Sequence, residues 1–344
     1  GWCRPFLLGV AQSLIDSSER DLTSWHGDWA GLRVVVVGLG ATGFALVDTL
    51  VELGADVTVV AADATADRIN LAQVIGTEVV VSASGEQRVA ALSGVAPDFA
   101  VVSPGVTTDD PVVSNLQEKG IPVFSDVDLA WRLRDKNTKV ASWIIVSGEK
   151  EGVRAAELAA RILNAAGRPT LVVGNGFDPL LDALRDPHPY EMLIVVAHDP
   201  SLQWWERFSE SSRRPVMAVC VEEDSHTNSG VLYDGVEMAC VYRRGVGTTE
   251  ARVEEAEVVE GARAISVGLD APGKSDVGLV QEILVDRAFL ADRANQAWEI
   301  STLEELVEAG WALPDDVVVI LTATAIARAF DVSPEAIAGV LSLP

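Results

Sequence analysis

Four consecutive valines, Val34–Val37, run directly into Gly38-Leu39-Gly40-Ala41-Thr42-Gly43 and then into an apolar helix-forming stretch, Thr42–Leu53, that Gly54 closes. A valine run without polar alternation needs cover on both faces, which is the habit of a parallel sheet packed between helices. Glycines at this spacing turn the chain sharply out of a strand, admit close backbone approach and let a helix begin at once. The strand A-D-V-T-V-V-A at 55–61 follows. Strand, glycine turn, helix and strand in this order form the unit of a doubly wound α/β sheet, whose ligands gather beyond the carboxyl ends of the strands.

The pattern continues along the chain. Further strands are expected at 78–82, 99–103 and 121–124, with helices near 86–93, 111–119 and 126–134, and the polar run R-D-K-N-T-K at 134–139 marks a domain boundary. A second unit opens on a strand at 140–147 and a helix at 153–166 that Gly167 ends. Strands at 170–173, 192–197 and 216–221 then alternate with helices at 178–185 and 201–210. Past Gly230 the pattern loosens into strands at 237–242, 263–267 and 279–285 and helices at 301–309, 317–330 and 334–341. The division read from this is a leader of unassigned role at 1–30, a Rossmann-like domain at 31–139 and a second, mainly parallel α/β domain at 140–344.

Composition removes several function classes. With 51 acidic against 26 basic residues the net charge is −25, so the long-range field opposes a nucleic-acid backbone. No apolar run reaches the roughly 18–20 residues needed to span a bilayer, and the first residues lack a secretory cleavage pattern, which points to the cytoplasm and no membrane insertion. Cys3, Cys220 and Cys240 are far apart and make no C-x-x-C pair, so neither a zinc site nor a disulfide framework is expected.

Three turns carry possible chemistry. G-L-G-A-T-G at 38–43 has the context of a phosphate-binding turn, but a nicotinamide reading wants an acid at the end of the next strand, where Ala61-Ala62 stand and Asp63 comes two residues late. S-P-G-V at 103–106 ends another strand of the same sheet; it is either an ordinary turn or a second wall of a diphosphate crevice. W-I-I-V-S-G-E-K-E-G-V-R-A at 143–155 sits where a nucleotide phosphate loop would lie, yet Glu149 and Glu151 bring negative charge and Val153 and Arg154 replace hydroxyls. His198, Asp199, Asp224 and His226 fall at two strand ends, as a metal cluster or as loop residues, and Trp204-Trp205 form either a packing face or a contact surface.

Taken together, G-L-G-A-T-G, V-V-S-P-G-V at 101–106, S-D-V-D-L-A-W-R at 125–132 and G-N-G-F-D-P-L-L-D at 174–182 resemble the Mur ligase family, specifically its MurD type. I-L-V-D-R-A-F at 283–289 and E-A-E-V-V-E-G-A-R-A-I at 255–265 resemble the actinobacterial form. The resemblance implies a Rossmann-like N-terminal domain that binds UDP-N-acetylmuramoyl-L-alanine or a related UDP-sugar, followed by a P-loop-NTPase-like central domain. By the same carry-over Gly38, Gly40, Ala41, Thr42 and Gly43 would line the UDP pocket, Ser103, Pro104 and Gly105 would touch the nucleotide-sugar, and Asn175 would reach it from the second domain.

The family's T-G-T-N-G-K-T-T falls on Ser147, Gly148, Glu149, Lys150, Glu151, Gly152, Val153 and Arg154, which puts Gly152 at the phosphate Lys and Val153 at the Thr after it. The family's metal-binding Glu meets the segment Ala197-His198-Asp199, its D-H pair meets Asp224-Ser225, and its H-N pair meets Asp315-Asp316. The expected D-glutamate domain has no counterpart before Pro344. The implied function is a UDP-sugar-binding Mur ligase relative that has lost ligation, acting as sensor or scaffold with a cell-wall synthesis protein, and with no cofactor and no metal. The alternatives are an active D-glutamate ligase using ATP and Mg²⁺ within a longer chain and, on the glycine turn alone, an NAD-dependent oxidoreductase.

Overall fold

The computed structural model describes residues 20–197, 199–208, 213–223, 230–292 and 294–343, with the backbone alone described at 199–200 and 206–208. Two compact units emerge. The first holds the described residues up to Val140 together with Pro179–Pro187, and the second holds Ala141–Asp178 and His188 onward.

In the first unit β1 (Arg33–Val37), β2 (Asp56–Ala61), β3 (Glu78–Val81), β4 (Phe99–Val102) and β5 (Val123–Ser125) form one parallel sheet in the order β3-β2-β1-β4-β5. Val34–Val37 are buried, as a run covered on both faces requires. The chain moves outward from β1 through β2 to β3, then returns to place β4 on the other side of β1. That reversal opens a crevice at the carboxyl ends of β1 and β4. The connecting helices are α1 (Ala41–Glu52), α2 (Ala66–Val74), α3 (Gly85–Ala91), α4 (Pro111–Glu118) and α5 (Asp126–Leu133). Helix α2 escaped the sequence reading because only Ala72 of it is buried, which leaves no apolar stripe to detect.

The short helix α7 (Leu180–Arg185) belongs to the first unit although the chain around it belongs to the second, so the second domain is not one continuous stretch from 140. Its Leu180, Leu181 and Leu184 are buried, and Arg185 makes ion pairs with Asp48 at 2.6 Å and Glu52 at 2.7 Å. Asn137 donates to the Leu184 and Asp186 carbonyls, so the end of the segment is held by backbone as well as by charge.

The second unit is a nine-stranded sheet in the order β14-β13-β12-β11-β10-β9-β6-β8-β7. Its strands are β6 (Ser142–Ser147), β7 (Thr170–Gly174), β8 (Met192–Ala197), β9 (Met217–Cys220), β10 (Ala239–Arg243), β11 (Arg263–Val267), β12 (Asp276–Val280), β13 (Ile283–Asp286) and β14 (Trp298–Thr302). Pairing is parallel from β7 to β12 and antiparallel from there to β14. The sequence predicts one strand at 279–285, but the chain folds back between Val280 and Ile283, with Gln281 at φ 56°. A hairpin turned by Gln-Glu carries no Gly or Asn signal, so an apolar run on either side reads as a single strand. Thr302 ends β14 and caps α10 (Leu303–Glu308) through a capping box with Glu305; the expected helix from 301 had absorbed the end of that strand.

Helix α6 (Glu151–Ala165) packs against α11 (Asp315–Ala329), which is buried from Asp316 to Arg328. α8 (Asp199–Phe208), α9 (Gly247–Glu254) and α12 (Pro334–Leu341) complete the unit. Trp204 and Trp205 are buried, so this pair packs inward. Arg328 on α11 meets Asp286 at 2.8 Å in the interior, a buried pair whose carboxylate also accepts from the Ala288 and Phe289 amides.

Burial alone would raise the Glu52 carboxyl, but hydrogen bonds from Lys136 and Arg185 outweigh it and hold it below its ordinary value. A carboxyl lowered by folding stabilises above its unfolded value and loses that contribution as pH falls through the folded one. Glu52→Gln is therefore expected to weaken the first unit by about 0.5–1 kcal/mol near neutrality. The difference from the parent closes on acidification, as urea unfolding from pH 7 down through the carboxylate range would show.

Candidate functional site

Strand β1 ends at Val37 and helix α1 begins at Ala41, so only Gly38, Leu39 and Gly40 connect them. Gly38 has φ +96°, a conformation open to glycine, and a Cβ there would lie 2.9 Å from Val106 Cγ2 and 3.0 Å from Ser103 Cβ. A Cβ on Gly43 would come 2.2 Å from the Gly38 carbonyl oxygen, so the first turn of α1 is pressed against the strand exit. Gly40, by contrast, faces open space.

The turn at 103–106 follows β4, which runs beside β1 with Val37 opposite Val102. Ser103 donates its N–H to the Val37 carbonyl and accepts from Val106, so both glycine turns stand side by side at one sheet edge. Arg88 anchors the loop beyond: it is buried, reaches Asp110 at 2.7 Å and leaves the other Asp110 oxygen to cap α4 through the Val112 amide. Among the described residues no protein group accepts from the amides of Leu39 to Gly43, which lie at the start of a 12-residue helix. Amides so placed favour an anion. Ala61 is buried and Ala62 and Asp63 are exposed at the end of β2, so no carboxylate lines that strand end as a ribose partner would.

The second turn is built alike. β6 ends at Ser147, α6 begins at Glu151, Gly148 has φ +134°, and a Cβ on Gly152 would come 2.4 Å from the Ser147 carbonyl oxygen. Five residues separate strand exit from helix contact in both turns, Gly38 to Gly43 and Ser147 to Gly152. The position that the family gives to its phosphate Lys therefore has no room for any side chain. Lys150 is the N-cap of α6 and is exposed, and its own side chain caps nothing.

What fills this turn is Glu222, which no sequence signal marked. β9 lies against β6 with Cys220 opposite Ser147, so two residues further on Glu222 arrives beside the loop. Its Oε2 accepts from the Glu149 amide at 3.0 Å, and its Oε1 accepts from Lys150 at 2.9 Å and Gly152 at 2.6 Å. The negative group in the loop is thus the Glu222 carboxylate, while Glu149 is exposed. Arg154 has also found a partner: it meets Asp316 at 2.5 Å, and Asp316 accepts from the Ala312 amide at 2.9 Å. Two positions at which the resemblance marks departures, Arg154 and Asp316, hold each other. Burial pushes the Cys240 thiol up to about 12, which keeps it protonated near neutral pH.

Asn175 lies in the second unit after β7, donating its amide to the Val196 carbonyl, so it is not in the same unit as the two glycine turns. His198, Asp224 and His226 lie outside the described residues, as do Cys3 and most of the leader, and only the backbone of Asp199 is described. Among the described residues no cluster of three or more His, Cys, Asp or Glu could hold a metal, and no helix is long and apolar enough to cross a membrane. A cavity of about 310 Å³ opens at the opposite edge of the first sheet between Trp29, Phe99, Phe124 and Arg132. Phe99 stacks edge-on against both Trp29 and Phe124, and Arg132 lies over the Phe124 ring, so its walls are the packed aromatic end of the core.

The family description "Mur ligase MurD-like, N-terminal domain" matches residues 32–125, which contain both glycine turns of the first unit. Over 339 residues the chain is 44% identical to the UDP-N-acetylmuramoylalanine–D-glutamate ligase of Leifsonia xyli subsp. xyli, covering 93% of this chain and 66% of that one. It is 34% identical over 337 residues to the protein of the same name from Tropheryma whipplei strain Twist, with 94% and 69% covered. The chain belongs to the MurD-type Mur ligases.

As a Mur ligase relative it spans about two thirds of the length of these proteins. The solved murein peptide ligase of Psychrobacter arcticus 273-4 superposes with a TM-score of 0.51 at 14% identity over 91% of this chain and 68% of its own. The UDP-N-acetylmuramate:L-alanyl-gamma-D-glutamyl-meso-diaminopimelate ligase of Neisseria meningitides gives 0.52 at 12% over 91% and 98%. These likenesses establish the fold: α/β, mainly parallel, in the Mur ligase manner.

The fit of ATP to the second unit is poor on the residues present. Its loop amides are bonded to a carboxylate, its Lys position is a glycine pressed on backbone, and its hydroxyl positions carry Val153 and Arg154. Gly152→Lys is accordingly expected to lower stability by about 2 kcal/mol or more, through overlap with the Ser147 carbonyl, without creating ATP binding. Denaturant unfolding and a nucleotide-binding titration of the variant check both halves.

Proposed function

We propose that this MurD-type protein binds UDP-N-acetylmuramoyl-L-alanine, or a closely related UDP-sugar, through its first unit and does not carry out ATP-dependent ligation through its second. Its place is then cytoplasmic peptidoglycan precursor metabolism, as a sensor of the precursor or a scaffold for a wall-synthesis protein. One contrast carries the reading: among the described residues the amides of residues 39–43 have no protein acceptor, while the corresponding turn of the second unit donates three amides to Glu222. A diphosphate fits the first turn by hydrogen bonding and helix dipole, with Ser103, Pro104 and Gly105 as the adjoining wall. The second turn already holds its anion.

A second reading has its own support. Relatives at 44% and 34% identity are named UDP-N-acetylmuramoylalanine–D-glutamate ligases, and the chain spans about two thirds of their length. On that reading the chain is part of a D-glutamate ligase that uses ATP and Mg²⁺. Calorimetric titration separates the two. Heat with UDP-N-acetylmuramoyl-L-alanine and none with MgATP is the expected result, and saturable binding of MgATP would establish the ligase reading instead.

Gly40→Asp tests the UDP-sugar site without disturbing the fold. Gly40 is the N-cap of α1, has no neighbour within 4 Å of a new Cβ, and Asp is a favourable N-cap residue. The variant should keep the parent's thermal midpoint and bind the UDP-sugar at least about tenfold more weakly, a loss of roughly 1.4 kcal/mol, because its carboxylate faces the diphosphate. Unchanged affinity would place the ligand elsewhere.

A further inference from the structure

We propose that Glu222 is the resident anion of the 148–152 loop, an internal carboxylate that occupies the place of a phosphate and keeps external phosphate out. This deepens the reading that the second unit has left ATP use, and it names the group responsible. The arrangement is bidentate: one carboxylate oxygen accepts from Glu149 at 3.0 Å and the other from Lys150 at 2.9 Å and Gly152 at 2.6 Å. Three convergent backbone amides at the start of a 15-residue helix are what a phosphate oxygen cluster would otherwise receive.

The steric record agrees independently of the hydrogen bonds. A Cβ on Gly148 would lie 2.5 Å from Glu222 Oε1 and 2.9 Å from its carboxyl carbon, so the carboxylate occupies the space that a side chain at 148 would need. The contact is also fixed from the sheet. β9 is hydrogen-bonded to β6, and Glu222 follows its last paired residue by two positions, within reach of the loop without any long connection. α6 has no side-chain cap from its own N-cap residue, Lys150, so Glu222 supplies from 70 residues away what a local Ser or Asp does for other helices. An entering phosphate would have to displace a carboxylate from the amides it needs and then sit beside that carboxylate's charge.

The test uses the whole chain and inorganic pyrophosphate as probe, against sodium chloride of matched ionic strength. The parent's thermal midpoint should be indifferent to pyrophosphate. Glu222→Ala should melt about 4 °C or more below the parent, since three charge-assisted bonds are lost, and should recover at least half of that loss with pyrophosphate. A variant that melts with the parent, or that is destabilised and gains nothing from pyrophosphate, overturns the proposal. Should Glu222→Ala fail to fold, hydrogen exchange in the parent decides: protected amides at Glu149, Lys150 and Gly152 support the internal carboxylate, and rapid exchange overturns it. MgATP binding by the parent with those amides still protected would defeat the proposed function while leaving this contact in place.

Discussion

Each sheet carries one close approach, a helix lying directly on the carbonyl at the exit of the strand it leaves, β1 in the first unit and β6 in the second. At Gly43 and at Gly152 a Cβ would overlap the carbonyl oxygen five residues earlier, so glycine is the condition for the helix to start where it does. The consequence is packing. With α6 seated this way its Ala155, Ala156, Leu158, Ala159, Ile162 and Leu163 enter the core that Ile144, Ile194 and the apolar length of α11 complete. A larger residue at either contact would push the helix outward and loosen an interior that tolerates little change in volume.

The same approach also sets what each turn can bind. Starting a helix within three residues of a strand leaves several N–H groups pointing out of the turn with no partner in the helix, and they require an acceptor from elsewhere. In the first unit the described protein supplies none, and the turn faces the crevice created where the strand order reverses. In the second unit a neighbouring strand delivers Glu222. One backbone geometry thus stands in two settings: a turn whose amides meet no acceptor among the described residues in one sheet, and an internal tie between α6 and β9 in the other. The Arg154–Asp316 pair adds a second tie, from α6 to α11, at positions where the family resemblance expects Thr and an H-N pair.

Much of the fold was legible because buried parallel strands announce themselves. Val34–Val37, Trp143–Val146 and Met192–Ala197 are apolar runs bounded by turn residues, and each is an interior strand of its sheet, paired on both sides. What escaped was set by surroundings. Helix α2 buries a single residue, the Gln281-Glu282 hairpin uses no turn-forming residue, and α7 is sorted into the first unit by Arg185 and three leucines that meet partners far along the chain. At the site, the adjacency of the 38–43 and 103–106 turns followed from strand logic, but Glu222, just past the strand expected at 216–221, carried no signal of its own.

The sequence by itself determined the class of molecule: glycine placed after buried valine runs dictates parallel α/β sheets, and the set of turns identifies a Mur ligase relative. By the family resemblance it also sets Gly152 and Val153 where a phosphate Lys and the Thr after it are expected, since that is a matter of residue identity. Only the tertiary structure decided what stands in their place. Hydrogen bonding between β6 and β9 brings position 222 to position 148, and helix packing brings 154 to 316, and neither contact has a signature along the chain because both join residues 70 or more positions apart. Composition and spacing report what a loop lacks, whereas the partner of a buried amide is settled by which strand lies next to it.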